Sequence, residues 1–170
     1  MSDLKKLSET SPFGRELFAL AIPRMQDFPE ILVLPSPHFA LFLAGDARKV
    51  PADVILNLAH SLINQGLAYC CFWGPDCKRM HDLFDHAVFE HEPDATEYSI
   101  VKTTWHEYES LDEALRFFIS CTVAAEKYAG TCLSALAVAV GAKEWSAQIE
   151  ERLADPMRLS KKTSQGGEQT

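Results

Sequence analysis

Four short apolar runs each stop at a polar loop, and a segment of helical character follows each. The runs are Phe39–Ala44, Ala68–Trp73, Tyr98–Lys102 and Leu133–Val140. The loops are Gly45–Lys49, Trp73–Cys77, Thr103–Glu107 and Gly141–Glu144. Strands alternating with helices predict a mainly parallel sheet with helices on both faces. Phe39–Ala44 is apolar throughout, as a strand covered on both faces must be. The first helix is predicted over Pro51–Gln65, where Val54, Ile55, Leu58, Ala59, Leu62 and Ile63 repeat with the helical period. A second begins near Asp76 and turns Cys77, Met80, Phe84, Ala87 and Val88 inward. Ser110-Leu111-Asp112-Glu113 has capping-box spacing for a third. A fourth is predicted over Lys143–Leu153, before Pro156.

The flanks are less regular. Residues 1–30 read as an N-terminal segment with a short helix over Gly14–Ala21, stopped by Pro23. Ile31–Leu34, between prolines, reads as an edge strand. Residues 31–156 form a single Rossmann-like three-layer α/β domain with a sheet of four or five strands. Residues 157–170 read as a disordered tail, because the end of the chain is polar and contains glycine. Strand order stays open. Numbering the four runs along the chain, the order 2-1-3-4 brings the Asp46 and His106 loops together beside a crevice, whereas 1-2-3-4 separates them.

Composition narrows the partners. The net charge of -8 and pI of about 5.2, with no basic cluster, oppose a nucleic-acid backbone and an anionic membrane surface. No apolar stretch approaches the roughly 18 residues of a membrane span, and Met1–Lys6 lacks the apolar core of a signal peptide. Five cysteines without framework spacing suit a reducing cytoplasm. The dinucleotide fingerprint is absent after every strand, so no cofactor is implied.

The loops carry the candidate chemistry. In Trp73-Gly74-Pro75-Asp76-Cys77, glycine permits a tight turn, proline presets the helix start, and Asp76 can cap free amides. Cys77 in a first helical turn is placed for thiolate chemistry, yet it also begins an apolar face and can equally be an inert packed thiol. Cys77 and His81 share a helical face, but no second pair completes a zinc site. In Thr103-Thr104-Trp105-His106, the hydroxyls can bind an anion or cap a helix. His106 can be an acid–base group or a structural plug. Lys143 can neutralise an anion or merely sit on a helix surface.

These blocks, with His81-Asp82 and Ser110–Leu115, resemble a bacterial family of small Rossmann-like α/β domains over roughly residues 38–140. That resemblance implies a single bacterial domain and no particular activity. Phe42-Leu43-Ala44-Gly45 also looks like the first strand of nucleoside deoxyribosyltransferase-like proteins, whose catalytic glutamate has no counterpart here.

Together these features predict a binding domain for a small polar or nucleotide-like ligand, or a protein partner, at the C-terminal edge of the sheet. Asp46, Trp73, Asp76, Thr103, Thr104 and His106 would line the site. The rival is a small hydrolase or transferase with His106 as acid–base, Asp46 or Asp76 orienting, and Cys77 as nucleophile. A scaffold without a pocket is the third class.

Overall fold

The computed structural model describes residues 3–165. It has six strands: β1 (Lys5–Ser8), β2 (Glu16–Ile22), β3 (His38–Ala44), β4 (Leu67–Trp73), β5 (Lys102–Trp105) and β6 (Cys132–Val140). Five helices accompany them: α1 (Ala52–Asn64), α2 (Cys77–His91), α3 (Leu111–Ser120), α4 (Lys143–Leu153) and α5 (Pro156–Gln165). The sheet order is β1-β2-β6-β3-β4-β5; only β1 runs antiparallel to its neighbour. This is a three-layer, Rossmann-like α/β domain.

The layers follow from alternation along the central strands. On β3, Phe39, Leu41 and Leu43 join the core beneath α1, α2 and a short 3-10 turn at Met25–Asp27. Ala40, Phe42 and Ala44 join the core beneath α3, α4 and α5. On β6, Leu136 and Val138 face the first layer, whereas Ala135, Ala137 and Ala139 face the second. The small alanines let the second layer pack close to the sheet, where Phe118 of α3 meets Phe42 at 5.5 Å between ring centres. Truncating the fully buried Phe42 to alanine should cost about 3–5 kcal/mol.

Three sequence expectations need correction. Glu16–Ile22 is a strand, not a helix: Leu17 and Ala19 are buried on one face, Phe18, Leu20 and Ile22 on the other. It sits inside the sheet, where an unbroken apolar run suits both-sided burial. Ile31–Leu34 forms no strand; Ile31 and Val33 are exposed. The sheet therefore has six strands rather than four or five, and residues 3–22 supply two of them. The third predicted strand moves from Tyr98–Lys102 to Lys102–Trp105. The β-branched Thr103 and Thr104 and aromatic Trp105 are strand formers, so these residues lie within β5 rather than in the loop after it.

At the other end, α5 covers part of the expected tail. Leu159 is buried in the second core, and this contact holds the helix against the domain. Residues 166–170 lie outside the described residues.

The strand order matches neither alternative. The fourth predicted strand, β6, lies beside the first, β3. From β3 the chain advances through α1 on the first face; from β6 it turns into α4 on the second. The topological switch point thus falls between the C-terminal ends of β3 and β6, where open α/β sheets form their ligand crevice.

Candidate functional site

A cleft of about 460 Å³ opens at this switch point. Three loops build it. Pro23, Arg24, Met25 and Gln26 follow β2. Asp46, Lys49, Val50 and Pro51 follow β3. Val140, Gly141, Ala142 and Trp145 end β6 and open α4. Gly45 lies against the floor: a Cβ there would stand 3.0 Å from the Met25 methyl and 3.5 Å from Val140 Cβ.

The cleft has both charge and apolar walls. Arg24 is paired with Asp27, its Nε and Nη2 donating to the carboxylate at 2.9 and 2.8 Å. Asp46 accepts from the Arg48 guanidinium, Nη2 at 2.6 Å and Nε at 3.0 Å, and from the Arg48 amide at 3.1 Å. The Arg48 hydrogen bonds hold the Asp46 carboxyl below the usual carboxylate range, and the Lys49 charge adds to the effect. Lys49 itself is exposed and makes no hydrogen bond or ion pair among the described residues.

Two helices begin at the cleft without side-chain caps. Pro51 precedes α1 and Ala142 precedes α4; neither side chain can accept from the first-turn amides. Helix starts of this kind present N–H groups and partial positive charge to an anion. Asp53 and Glu144 in the first turns offset part of that field.

The loops after β4 and β5 are built differently. The Gly45 amide donates to Trp73 O at 3.0 Å, the Ala47 amide to Pro75 O at 3.0 Å, and Arg79 Nη1 to Ala47 O at 2.9 Å. Gly74 permits this close approach: its φ is +116°, and a Cβ would stand 2.2 Å from Gly45 O. Asp76 opens α2 in the left-handed region, φ 62°, and its carboxylate does not cap the helix as expected. Cys77 is fully buried, and burial pushes its thiol up, outweighing a hydrogen bond from the His106 backbone. That is the inert packing alternative; the shift opposes a thiolate.

His106 is 5% exposed and plugs this half of the edge. Nδ1 contacts Glu109 Oε2 at 2.9 Å, Nε2 contacts Thr104 Oγ1 at 3.1 Å, and the ring lies 4.7 Å from Phe117. Both ring nitrogens are occupied by protein atoms. Thr103 donates to Asp85 on α2, away from the edge loops. Trp73 donates its indole N–H to Glu109 O at 2.9 Å and packs edge-on against Trp145 at 5.1 Å, so it braces a cleft wall from behind.

Of the six expected site residues, Asp46 lines the cleft, Trp73 supports it, and Asp76, Thr103, Thr104 and His106 are not among the residues that wall it. Arg24, Lys49 and Trp145 were missed. The signal for Arg24 was present: an apolar run ending in Pro-Arg marks a cation at a strand's C-terminal end once the run is read as a strand. Among the described residues, no group of three or more His, Cys, Asp or Glu is placed to hold a metal ion, and no helix is long and apolar enough to cross a membrane.

The family model described as "Domain of unknown function (DUF7684)" matches residues 18–156, which run from within β2 through α4 and include all three cleft loops. The chain belongs to that family. Neither curated proteins nor solved structures give a match to the chain.

Proposed function

We propose that this member of the DUF7684 family binds a small anionic, nucleotide-like metabolite in the switch-point cleft. The observation that carries the reading is the convergence there of two uncapped helix starts from opposite faces of the sheet with Lys49, unpaired among the described residues, Arg24 standing beside them in its pair with Asp27. Lys49 and the α1 and α4 amides contact a phosphate or carboxylate. Met25, Val140 and Trp145 cover the apolar part of the ligand. The Asp46–Arg48 pair fixes the β3 loop and leaves a carboxylate edge for a hydroxyl or amine.

Binding is better supported than catalysis. An acid–base group needs a ring nitrogen within reach of substrate, and both nitrogens of His106 face protein partners. A nucleophilic cysteine needs access and a lowered pKa, and Cys77 has neither. The cytoplasmic setting belongs to the same proposal: all five cysteines are free, and Cys70 and Cys71 enter opposite cores.

Thermal unfolding of the full chain with nucleoside monophosphates and small carboxylates tests the reading. At least one should raise the midpoint in a concentration-dependent way. Lys49→Glu should abolish that rise without lowering the unliganded midpoint. Stabilisation that survives both Lys49→Glu and the cleft-filling Ala142→Trp would place the ligand elsewhere and overturn the proposal.

A further inference from the structure

The two edges of the sheet are finished differently. β1 is four residues long, carries Lys5 and Lys6, and its register shifts between Lys6 and Ser8. A short strand, lysines and a bulge all deter a foreign strand from adding there. β5 is as short and begins with Lys102, but that ammonium donates to Val123 O at 2.9 Å, the register with β4 is unbroken, and the strand ends in Trp105, 43% exposed. The His106 amide donates to Phe72 O. Strand alternation then turns the N–H and C=O groups of Thr103 and Trp105 away from β4, toward open space. Beside this edge, a hollow of about 460 Å³ is walled by Val88, Phe89, Ile100 and Val101 and also lined by Asp85 and Glu92.

We propose that β5 is a homodimer interface, with two copies of the chain pairing antiparallel through Thr103 and Trp105. A two-fold axis perpendicular to the sheet keeps like faces together. With Thr103 at the axis, Thr103 faces its own counterpart, and Trp105 of each copy faces Val101 of the other. Both side chains belong to the α2 side: Trp105 packs on His81 at 4.5 Å, and Val101 shares the core of Val88. Each Trp105 is therefore carried to the hollow of the opposite copy. Lys78, paired with Asp82 of its own copy at 2.7 Å, rides with it, its ammonium 5.6 Å from the indole centre, toward the Asp85 and Glu92 carboxylates of that hollow. An extended peptide from another protein could use the same backbone groups. A second copy also brings an aromatic ring and a cation to the hollow, in the self-complementary pattern a two-fold interface requires.

Sedimentation of the full chain from about 1 to 100 µM, with hydrogen exchange at the Thr103 and Trp105 amides, tests this. The expected species has twice the 19.0 kDa chain mass, and both amides gain protection as it forms. Phe89→Glu and Trp105→Glu should each raise the dissociation constant at least about tenfold. Phe89 is 65% exposed, so Phe89→Glu leaves the monomer folded and decides the matter even if Trp105→Glu does not fold. A monomer throughout, with or without uptake of extended peptides at β5, would overturn the proposal. So would a dimer that Phe89→Glu leaves intact.

Discussion

At the C-terminal edge of the sheet, the loops after β4 and β5 are tied to the core and to the base of the β3 loop at Gly45 and Ala47, whereas the rest of the β3 loop and the loops after β2 and β6 stand around a cleft. On the tied side most of the conspicuous groups have structural partners, the Asp76 carboxylate, which does not cap α2, being the exception. Gly74 admits the Gly45 carbonyl, Cys77 is packed, His106 is held from both ring nitrogens, and Ser110 caps α3. On the open side, α1 and α4 start without side-chain caps, as α2 does on the tied side, but these two starts face a cleft, and Lys49 beside them has no ion-pair partner among the described residues. The difference teaches that chemically suggestive residues can be the ones consumed by folding. A binding function is better sought where polar groups remain unspent.

The largest expected effect comes from breaking the tied side at its closest approach. Gly74→Val places a Cβ against Gly45 O, where the glycine Cβ position is already 2.2 Å away, at a φ of +116°. We expect a loss of more than about 3 kcal/mol in chemical denaturation. An unchanged midpoint would mean that the two loops are not locked together. Next, His106→Ala should lower stability by about 1–3 kcal/mol, because it removes a buried plug and strips Thr104 of a partner. Ligand-induced stabilisation should survive that change. If it vanished while stability held, His106 would belong to the site after all.

A smaller change compares the helix starts directly. The Ser110 hydroxyl accepts from the Glu113 amide at 3.2 Å, and Glu113 Oε2 accepts from the Ser110 amide at 2.7 Å. Ser110→Ala should cost about 1 kcal/mol, and Ala142→Asp, supplying the cap that α4 lacks, should add roughly 0.5–1 kcal/mol. The same Ala142→Asp should weaken anion binding, because its carboxylate occupies the α4 amides. Stabilisation without loss of binding would detach the α4 start from the site. The mildest test leaves the fold alone. Burial pushes the Cys77 thiol up, so at pH 8 the folded chain should be alkylated first at exposed Cys121, with Cys77 protected until unfolding. Early labelling of Cys77, read by peptide mass spectrometry, would show the tied side to be open.

Much of the fold was legible because local physics set it. The helical period gave α1 to within a residue, the Pro156 stop bounded α4, the Ser110–Glu113 spacing gave the start of α3, and apolar runs gave β3, β4 and, with only Ser134 interrupting it, β6. Leu17–Ile22 was misread because a six-residue apolar run has no period that separates a buried strand from a buried helix. β5 was shifted because an edge strand is only partly buried and carries Thr-Thr in place of valines. The site was less legible than the fold. Asp46 could be named from its place after an apolar strand. Arg24, Lys49 and Trp145 meet only because β6 inserts between β2 and β3, and that neighbourhood is set by long-range packing rather than by any local pattern.

The central claim, that the open half of the edge is the anion site and the tied half is not, is tested most directly by amide chemical shifts during titration with inorganic phosphate. The account predicts saturable shifts at Lys49, Ala52, Asp53 and Lys143–Trp145, with the amides of Gly74, Asp76, Cys77 and His106 unmoved. Saturable shifts at those last four, with the α1 and α4 starts silent, would contradict it.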